Sequence, residues 1–407
     1  MHFSLIRRAF AAFLVAVLVS ACGGGASAPP PVGGLTVVPG DGQITVSWKT
    51  EPNVQYWLFF APAASISTSN WTTVPGAQAL INVTSPYVIT GLANTVVYSF
   101  VVNARTGDGP GGASTPSVSS IPRAAGETWK LGSNVGTTVR AITAGTLADT
   151  TTVYMAVGDS GKAFKSPTGL SDWVAVTDVA STQLNAATYF SARMFAAGNS
   201  GTLASSNDLV TWTALTSGTT QRLNGLAGSG NLLVAVGDGG TLLTSIDGVT
   251  WVKATMPTTR NLNAVAYSVN GFFIAVGDGG TVLTSTDGAT WTSVASTTTA
   301  NLRAVTVQVS LVYTFIAVGD AGTIVSSVNN GVTWATKTSG TTTDLLSISP
   351  ASFQFLATGK NGTVLTSLDG ATWTNRTSGT TANLNAVLGG KSQFVAVGDG
   401  GVTINSQ

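Results

Sequence analysis

The feature that most limits how this chain can fold is a tryptophan that recurs at nearly constant spacing through its second part. Successive members of the series lie 39 to 44 residues apart. They are Trp129, Trp173, Trp212, Trp251, Trp291, Trp334 and Trp373. The intervals contain short strand-like runs separated by Gly, Asn and Asp, and a period near 40 residues with this content is typical of β-propeller blades. Residues 124–407 are therefore predicted to form a propeller.

One interval can be divided into the four strands of a blade. LNAVAY (262–267), GFFIAVG (271–277) and TVLTST (281–286) are the first three, and the turn DGAT (287–290) leads into a fourth that begins at Trp291. Gly-Asp-Gly-Gly, between the second and third strands, predicts a tight hairpin because Gly and Asp tolerate positive φ. The Gly-Asp-Gly-Gly motif recurs because each blade needs the same hairpin.

The two ends of the repeat region predict how the ring closes. After Trp373 there are 34 residues, and VAVGDGGVTINS near their end supplies a second strand, a hairpin and a third strand but no fourth. The segment at Trp129 is a fourth strand without a blade. Pairing the two removes the edges that an open ring would expose. The prediction is a seven-bladed propeller whose closing blade takes its outer strand from residues near 127–131.

The turn between the third and fourth strands resembles the Asp-box of bacterial neuraminidase-type repeats, S-x-D-x-G-x-T-W. Residues 327–334 fit at full length with Asn329 in the Asp position, whereas Asp247, Asp287 and Asp369 lie in turns one residue shorter. The turns near 166–173 and 205–212 depart from the pattern. The resemblance implies that the carboxylate accepts backbone N–H bonds and that the tryptophan packs between blades. A sugar-binding or metal-binding role for these aspartates is the alternative.

Residues 124–407 also resemble the photosystem II stability/assembly factor family of propellers. Its blades follow L-x-A-V…AVG-x-x-G-x-I-L-x-T-x-D-G-G-x-x-W, and residues 262–265, 275–277 and 284–288 match that pattern closely. The resemblance implies the propeller fold. Nothing in the sequence indicates pigment or photosystem binding.

The first residues read as a targeting segment. Arg7 and Arg8 precede an apolar stretch, residues 11–19, that is too short to span a bilayer. The segment ends in Val-Ser-Ala-Cys and resembles a bacterial lipoprotein signal, which implies cleavage after residue 21 and acylation of Cys22. Gly23 implies sorting to the outer membrane. An ordinary signal peptide with a neighbouring cysteine is the alternative, and residues 22–34 are predicted to be a flexible tether.

Composition limits the chemistry of the processed chain. Charged residues make up only 9% of the sequence, which excludes charge-rich disorder and argues against nucleic-acid binding. Removal of residues 1–21 also removes His2, the one histidine, and Cys22 is the one cysteine. Triad hydrolysis and histidine-based metal sites are therefore excluded for the processed protein. No cofactor or metal is expected, and an oxygen-only Ca²⁺ site among aspartates and backbone carbonyls, without EF-hand-type spacing, is the alternative.

Residues 35–123 resemble a fibronectin type III domain, a β-sandwich. Trp48 stands at the position of that family's core tryptophan, and Gly91-Leu92 followed by Tyr98, Phe100 and Val102 matches its G-L…Y-x-F-x-V strand. The resemblance implies a corner hydrogen bond from the Tyr98 hydroxyl and a spacer role. A ligand site around Trp57 and Trp71 is the alternative.

Two columns of polar residues can be aligned on one face of the predicted propeller. The column before the Ala of L-N-A-V contains Arg140, Asn185, Asn224, Asn263, Arg303 and Asn385, with Leu346 in the sixth blade. The hairpin column contains Asp159, Asp238, Asp278, Asp320 and Asp399, with Asn199 and Lys360 in the other two blades. Arg222 and Arg260 lie just before two of these strands. These residues either satisfy turn backbone and one another, or they form a recognition face for an anionic or hydroxyl-rich partner.

The Asp-box resemblance suggests a sialidase, but the chain lacks the catalytic residues of that family. That family uses a tyrosine nucleophile paired with a glutamate, but glutamate occurs only at Glu51 and Glu127, outside the inner strands. Paired aspartates remain as an alternative catalytic set. The sequence favours a monomeric, non-catalytic lipoprotein of the cell envelope, periplasmic or surface-exposed, whose propeller binds an envelope protein or glycan. A glycan-binding or glycan-hydrolysing protein and a purely structural envelope component are the alternatives.

Overall fold

The computed structural model describes residues 27–40, 42–107, 111–123, 126–147, 149, 151–309, 313–351, 354–390 and 393–406. The chain divides into two compact units, one ending at Pro122 and the other beginning at Arg123, with residues 40–42 grouped with the second. The predicted signal peptide and Cys22 lie outside the described residues. No helix in the described part of the chain is long and apolar enough to cross a membrane.

The first unit consists of two antiparallel sheets. One has the order β1-β7-β4-β5 with β8 also paired to β7, and the other has the order β2-β3-β6. The strands are β1 (Ser27–Ala28), β2 (Thr36–Gly40), β3 (Gln43–Ser47), β4 (Gln55–Ala61), β5 (Gln78–Leu80), β6 (Tyr87–Thr90), β7 (Tyr98–Arg105) and β8 (Val118–Ser120). Side chains from both sheets alternate inward to form one core that contains Ile44, Leu58, Phe100 and the buried Trp48. The Tyr98 hydroxyl accepts the Ala93 N–H at 3.2 Å.

The start of this unit differs from the prediction. Ser27 and Ala28, assigned to a flexible tether, pair with Arg105 and Ala104 of β7. β1 lies on the side of β7 opposite β4, and the small Ala28 side chain lies in the core. Ordered structure therefore begins before residue 35.

The two tryptophans considered as a ligand site belong to a second apolar cluster of the same unit. Phe59 lies between them, with ring centroids 6.4 Å from Trp57 and 5.4 Å from Trp71. The Arg105 guanidinium covers the Trp57 ring at 3.3 Å from its centroid. The indole face of Trp57 is thus occupied by the chain itself.

The second unit is an all-β propeller fold of seven four-stranded antiparallel sheets, with no α-helix among the described residues. Blade 1 consists of β10 (Val139–Thr146), β11 (Thr152–Gly158), β12 (Ala163–Ser166) and β13 (Val174–Ala175), and blade 2 of β14 (Leu184–Phe190), β15 (Arg193–Gly198), β16 (Leu203–Ser206) and β17 (Thr213–Leu215). Blade 3 consists of β18 (Leu223–Gly228), β19 (Leu233–Gly237), β20 (Leu242–Ser245) and β21 (Val252–Lys253). Blade 4 consists of β22 (Leu262–Ser268), β23 (Phe272–Gly277), β24 (Thr281–Ser285) and β25 (Thr292–Val294). Blade 5 consists of β26 (Leu302–Val309), β27 (Tyr313–Gly319), β28 (Ile324–Ser327) and β29 (Ala335–Lys337). Blade 6 consists of β30 (Leu345–Ala351), β31 (Gln354–Gly359), β32 (Val364–Ser367) and β33 (Thr374–Arg376). Blade 7 consists of β34 (Leu384–Gly389), β35 (Phe394–Gly398) and β36 (Thr403–Ser406), and its fourth strand is β9 (Lys130–Leu131).

The hairpin between the second and third strands of each blade contains a single 3₁₀ turn. The seven turns are Asp159–Gly161, Asn199–Gly201, Asp238–Gly240, Asp278–Gly280, Asp320–Gly322, Lys360–Gly362 and Asp399–Gly401.

The repeated tryptophans pack each blade against the one before it. Trp334 of blade 5 lies with Ile274, Val276 and Val282 of blade 4, and its indole N–H donates to the Gly331 carbonyl at 3.0 Å. Burial of the ring removes apolar surface from water at every blade junction. The period near 40 residues therefore marks blade junctions, as the sequence predicts.

The closing blade is assembled from two distant parts of the chain. β9 pairs with β36 through Leu131 with Ile404 and Lys130 with Asn405. The Gly126 N–H donates to Ser406 Oγ at 2.6 Å, just as the Gly288 N–H donates to Ser285 Oγ at 2.8 Å in blade 4.

This junction also divides an Asp-box. Residues 126–129 read G-E-T-W, the second half of the Asp-box pattern, and Ser406 supplies its first residue. The Trp129 indole N–H bonds the Gly126 carbonyl at 3.0 Å, as its counterparts do in other blades. A turn that resembles the Asp-box, here without its aspartate, is thus split between segments 280 residues apart.

Candidate binding face

The hairpin face comprises the seven second-to-third hairpins and the residues that start the first strands. In blade 4, the Asp278 N–H donates to the Asn261 carbonyl at 3.0 Å, which draws the two segments together. A Cβ added to Gly277 would lie 2.1 Å from that carbonyl oxygen, although the φ of Gly277 is extended. The first glycine of the hairpin phrase is therefore required by close approach.

Positive φ belongs to the middle of the turn. Gly279 has φ +62°, but the equivalent position holds Ser160, Ser200, Ala321 and Asn361 in other blades. The prediction that the glycines are turn residues is accurate for the centre and end of the turn and incomplete for its first residue.

The asparagines of the first column connect neighbouring blades. Asn263 Nδ2 donates to Asp278 Oδ1 of its own blade and to the Leu302 carbonyl of the next blade, both at 2.9 Å. Asn185, Asn224 and Asn385 do the same with Asn199, Asp238 and Asp399. The bond from Asn385 to the Val139 carbonyl, at 2.9 Å, joins blade 7 to blade 1. These side chains have a defined structural role.

Three of the four predicted arginines pair with hairpin aspartates. Arg303 donates two hydrogen bonds to Asp320, from Nε to Oδ1 at 2.7 Å and from Nη2 to Oδ2 at 2.8 Å. This contact raises the pKa of the Arg303 guanidinium. Arg140 binds Asp159 at 2.5 Å, and Arg222 lies 3.2 Å from Asp238.

Arg260 is different. Its Nη1 donates to the Gly279 and Asp278 carbonyls at 2.8 and 3.4 Å, and it pairs with no carboxylate among the described residues. Its side chain is exposed.

A third column was missed from the sequence, apart from Arg222. It lies two residues before the first column and contains Thr138, Gln183, Arg222, Asn261, Asn301, Asp344 and Asn383. Asn261 accepts the Gly239 N–H of the preceding blade at 2.9 Å and donates to Asp278 Oδ2 at 3.0 Å. Asn301 and Asn383 make equivalent bonds. The recurring N-L-N triplet was the signal that could have revealed it.

Blade 6 interrupts this pattern. Leu346 replaces the bridging amide and Lys360 replaces the hairpin carboxylate. Lys360 Nζ instead lies 2.7 Å from Asp344 Oδ2, and this contact lowers the pKa of Asp344. The network around the hairpin face is therefore asymmetric at blade 6.

The Asp-box carboxylates are engaged by their own turns. Asp287 Oδ1 accepts the Thr290 and Ala289 N–H groups at 2.7 and 2.8 Å, which lowers the pKa of Asp287 to about 2. The same contacts lower the pKa of Asp369 to about 2 and hold that of Asp247 well below its usual range. Asn329 replaces the carboxylate in blade 5, where its Oδ1 accepts the Thr333 N–H at 3.0 Å.

The two turns that depart from the Asp-box pattern also contain an aspartate, but only the one in blade 2 accepts turn N–H groups. Asp208 accepts the Val210 and Thr211 N–H groups at 2.8 Å, with Leu209 at φ +61° in place of Gly. Asp172, next to Trp173, bonds the hydroxyls of Ser166 and Thr168. Among the described residues no three His, Cys, Asp or Glu side chains lie close enough together to share a metal ion.

Neither glutamate lies on the hairpin face. Glu51, in the first unit, contacts Lys49 at 3.7 Å. Glu127 lies 3.9 Å from Arg376 at the end of β33.

Comparisons with known proteins place this architecture among β-propellers. Residues 127–261, which run from β9 to the end of blade 3, match the DUF6242 beta propeller domain. No curated protein matches the chain significantly.

Solved structures extend the likeness to most of the chain. YCF48 bound to D1 peptide is similar with a TM-score of 0.56 and 16% identity, over 70% of this chain and 98% of that one. YCF48 from Cyanidioschyzon merolae gives the same TM-score and identity, over 69% and 98%. The WD40 repeats of RRP9 give a TM-score of 0.56 at 8% identity, over 70% and 98%. The expected likeness to photosystem II assembly factor propellers is thus confirmed for the fold, and for the fold alone.

Proposed function

We propose that this protein is a non-catalytic lipoprotein of the cell envelope whose propeller is a binding and assembly platform. In this proposal Cys22 carries the lipid anchor, most naturally in the outer membrane, and the β-sandwich is a fibronectin type III-like spacer. The platform uses the hairpin face, and its partner is an envelope protein.

The observation that carries the proposal is the difference between Arg260 and the other arginines of the hairpin face. A guanidinium already bound bidentately, as Arg303 is by Asp320, has little capacity left for a partner. Arg260 is held in place by two backbone carbonyls, which leave its charge uncompensated. A fixed, exposed guanidinium is suited to a partner's carboxylate.

The comparisons support a protein partner. A propeller of the same fold has been seen bound to a peptide, in the structure of YCF48 with D1 peptide. Propellers with WD40 repeats share the fold as well.

The state of the carboxylates supports a non-catalytic role. A general acid works best with a pKa near the working pH, whereas the pKa values of Asp287 and Asp369 are about 2. The aspartates of the hairpin face are bonded to amides or arginines.

The test compares three full-length proteins as bait for envelope proteins cross-linked in intact cells: wild type, Arg260→Ala and Arg303→Ala. We expect Arg260→Ala to lose a specific partner while keeping the wild-type melting temperature. Arg303→Ala should keep the partner, even if stability falls, because Asp320 loses its counter-charge. Equal capture by all three proteins would rule out Arg260 as the recognition residue.

A second measurement addresses catalysis. Turnover of aryl glycosides or envelope glycans that one Asp→Asn substitution abolishes, with unchanged unfolding, would show that the protein is a glycosidase.

A further inference from the structure

A groove on the hairpin face runs beside blade 4. It has a volume of about 750 Å³ and is lined by residues of the hairpin, the outer strand and the two flanking connections. Its polar lining includes Thr258, Arg260, Thr281, Ser293 and Thr297. Arg260 is the one charged residue in the lining, and no aromatic residue contributes. The groove is therefore positively charged and rich in hydroxyl groups.

One wall of the groove is the edge of a sheet. β25 is the last strand of blade 4 in the described structure and pairs only with β24. Ser293 and Val294 of β25 line the groove, and Ser293 is exposed. An edge strand presents a row of unpaired backbone N–H and C=O groups, to which an extended peptide can add as a further strand.

The rim of the groove contains a strained residue. Thr297 has φ +66°, in the left-handed region that is unfavourable for a β-branched residue. The equivalent positions in blades 2, 5 and 6 are Gly218, Gly340 and Gly379, with φ of +69°, +76° and +78°. Such strain persists where the surroundings impose it, and it clusters at functional sites. Blade 4 therefore differs from blades 2, 5 and 6 at this position of the groove.

We propose that the groove binds an extended peptide that pairs with the edge of β25 and places its terminal carboxylate on Arg260. This inference rests on the proposed function and names the class of ligand that the hairpin face takes. The edge strand supplies sequence-independent backbone bonds, and Arg260 supplies selectivity for a chain terminus. An acidic saccharide is disfavoured because no aromatic side chain in the groove offers a stacking surface.

The probes are two pentapeptides, acetyl-Thr-Val-Thr-Val-Ala with a free carboxylate and the same sequence as its C-terminal amide. Binding to the full-length protein is measured by titration calorimetry. We expect the acid to bind about tenfold more tightly than the amide, since a charge-assisted bidentate contact is lost in the amide. In Arg260→Ala the acid and the amide should bind equally, whereas Arg303→Ala should retain the preference.

A third probe tests the strand pairing. Two versions of the acid peptide are N-methylated at alternate residues, one at the odd positions and one at the even positions. One of the two should lose binding, because the N–H groups that would face β25 are blocked in it. Equal binding of acid and amide by the wild type, or retention of binding by both methylated versions, would overturn the inference.

Trigalacturonate serves as the competing ligand. If it binds in an Arg260-dependent manner and the peptides do not, the groove is a saccharide site and the peptide inference is wrong. If no probe binds at millimolar concentration, the inference also fails. The proposed function is tested separately by cross-linking, and it fails only if Arg260→Ala retains the partner that cross-links to the wild type.

Discussion

Gly126 and Ser406 are joined by a 2.6 Å hydrogen bond across 280 residues of chain, and this bond reproduces one that each intact Asp-box makes within four residues. The closing blade thus repeats the serine–glycine and tryptophan–glycine bonds of the other turns, but its parts come from both ends of the repeat region.

Ser406→Ala should weaken this closure. The buried Gly126 N–H loses its acceptor, and we expect a cost of about 1 to 3 kcal/mol in the free energy of unfolding. Ser285→Ala removes the equivalent bond inside blade 4 and is the matched control. Hydrogen exchange should accelerate at residues 126–133 in Ser406→Ala only. Unchanged exchange there would show that β9 is held by other contacts.

The Asp-box carboxylates should make stability depend on pH in the acid range. The pKa of Asp287 is about 2 in the folded protein and 3.8 in the reference state, because the Thr290 and Ala289 N–H groups stabilise the carboxylate. A depressed pKa in the folded state adds stability above the unfolded pKa, and this contribution disappears as the pH falls from about 4 to 2.

Asp287→Asn retains an acceptor oxygen, as Asn329 does in blade 5, but removes the charge. The variant should therefore have a lower urea midpoint than wild type at pH 7 and a similar one at pH 2. Asn329→Asp should behave in the opposite way, with a gain at pH 7 that is lost in acid. A difference between Asp287→Asn and wild type that is constant with pH would contradict this account.

Gly237→Ala and Gly239→Ala test the two kinds of hairpin glycine within one turn. The added methyl would lie 2.0 Å from the Arg222 carbonyl oxygen at position 237 and would meet nothing within 4 Å at position 239. We expect a loss of about 3 kcal/mol for Gly237→Ala. Gly239→Ala should cost about 1 kcal/mol or less, since Ala321 occupies the same position in blade 5. Chemical denaturation measures both, and similar losses would disprove the close-approach explanation.

Blade 6 should be improved by giving it the residues of its neighbours. The triple variant Asp344→Asn, Leu346→Asn and Lys360→Asp restores the N-L-N triplet and hairpin carboxylate found in blades 4 and 7. The amide introduced at position 346 would bond the next blade, and we expect a gain of about 1 kcal/mol in unfolding free energy. Leu346→Asn alone should bring no gain, because Lys360 offers no acceptor. A less stable triple variant would show that blade 6 is optimised differently.

Thr297→Gly should stabilise the protein by about 1 kcal/mol, because it relieves a β-branched residue from a positive φ of +66°. Gly340→Thr introduces the same conflict in blade 5 and should be destabilising by a similar amount. Differential scanning calorimetry of the two variants measures both effects. A destabilised Thr297→Gly would mean that the Thr297 hydroxyl bond to the Ser296 carbonyl outweighs the strain.

The sequence was sufficient to predict the repeat architecture because each blade junction needs one large apolar side chain at the same place, as Trp291 and Trp334 illustrate. The outer strand near Trp129 was predictable for the same reason. The role of Gly277 was not, because a close approach of two backbone segments leaves only a glycine in the sequence. Asp172 was missed because its carboxylate reaches the turn from a different position.

The sequence predicted which residue types recur at the candidate site, but it did not predict which side chains they pair with. Arg260 and Arg303 occupy different positions of the repeat but were predicted to share one face, and the structure separates their roles by the presence of Asp320 beside Arg303. Asn261 contacts the preceding blade, a relationship between repeats that the reading of a single repeat does not reveal.

The split Asp-box also sets an order of events during synthesis. Gly126 leaves the ribosome 280 residues before Ser406, which at about 5 to 20 residues per second is a delay on the order of 15 to 60 seconds. Until Ser406 is available, Trp129 has no third strand beside it and the seventh blade is incomplete. The segment that ends at Ser406 thus locks the one that begins at Gly126, because β9 has no partner strand without β36.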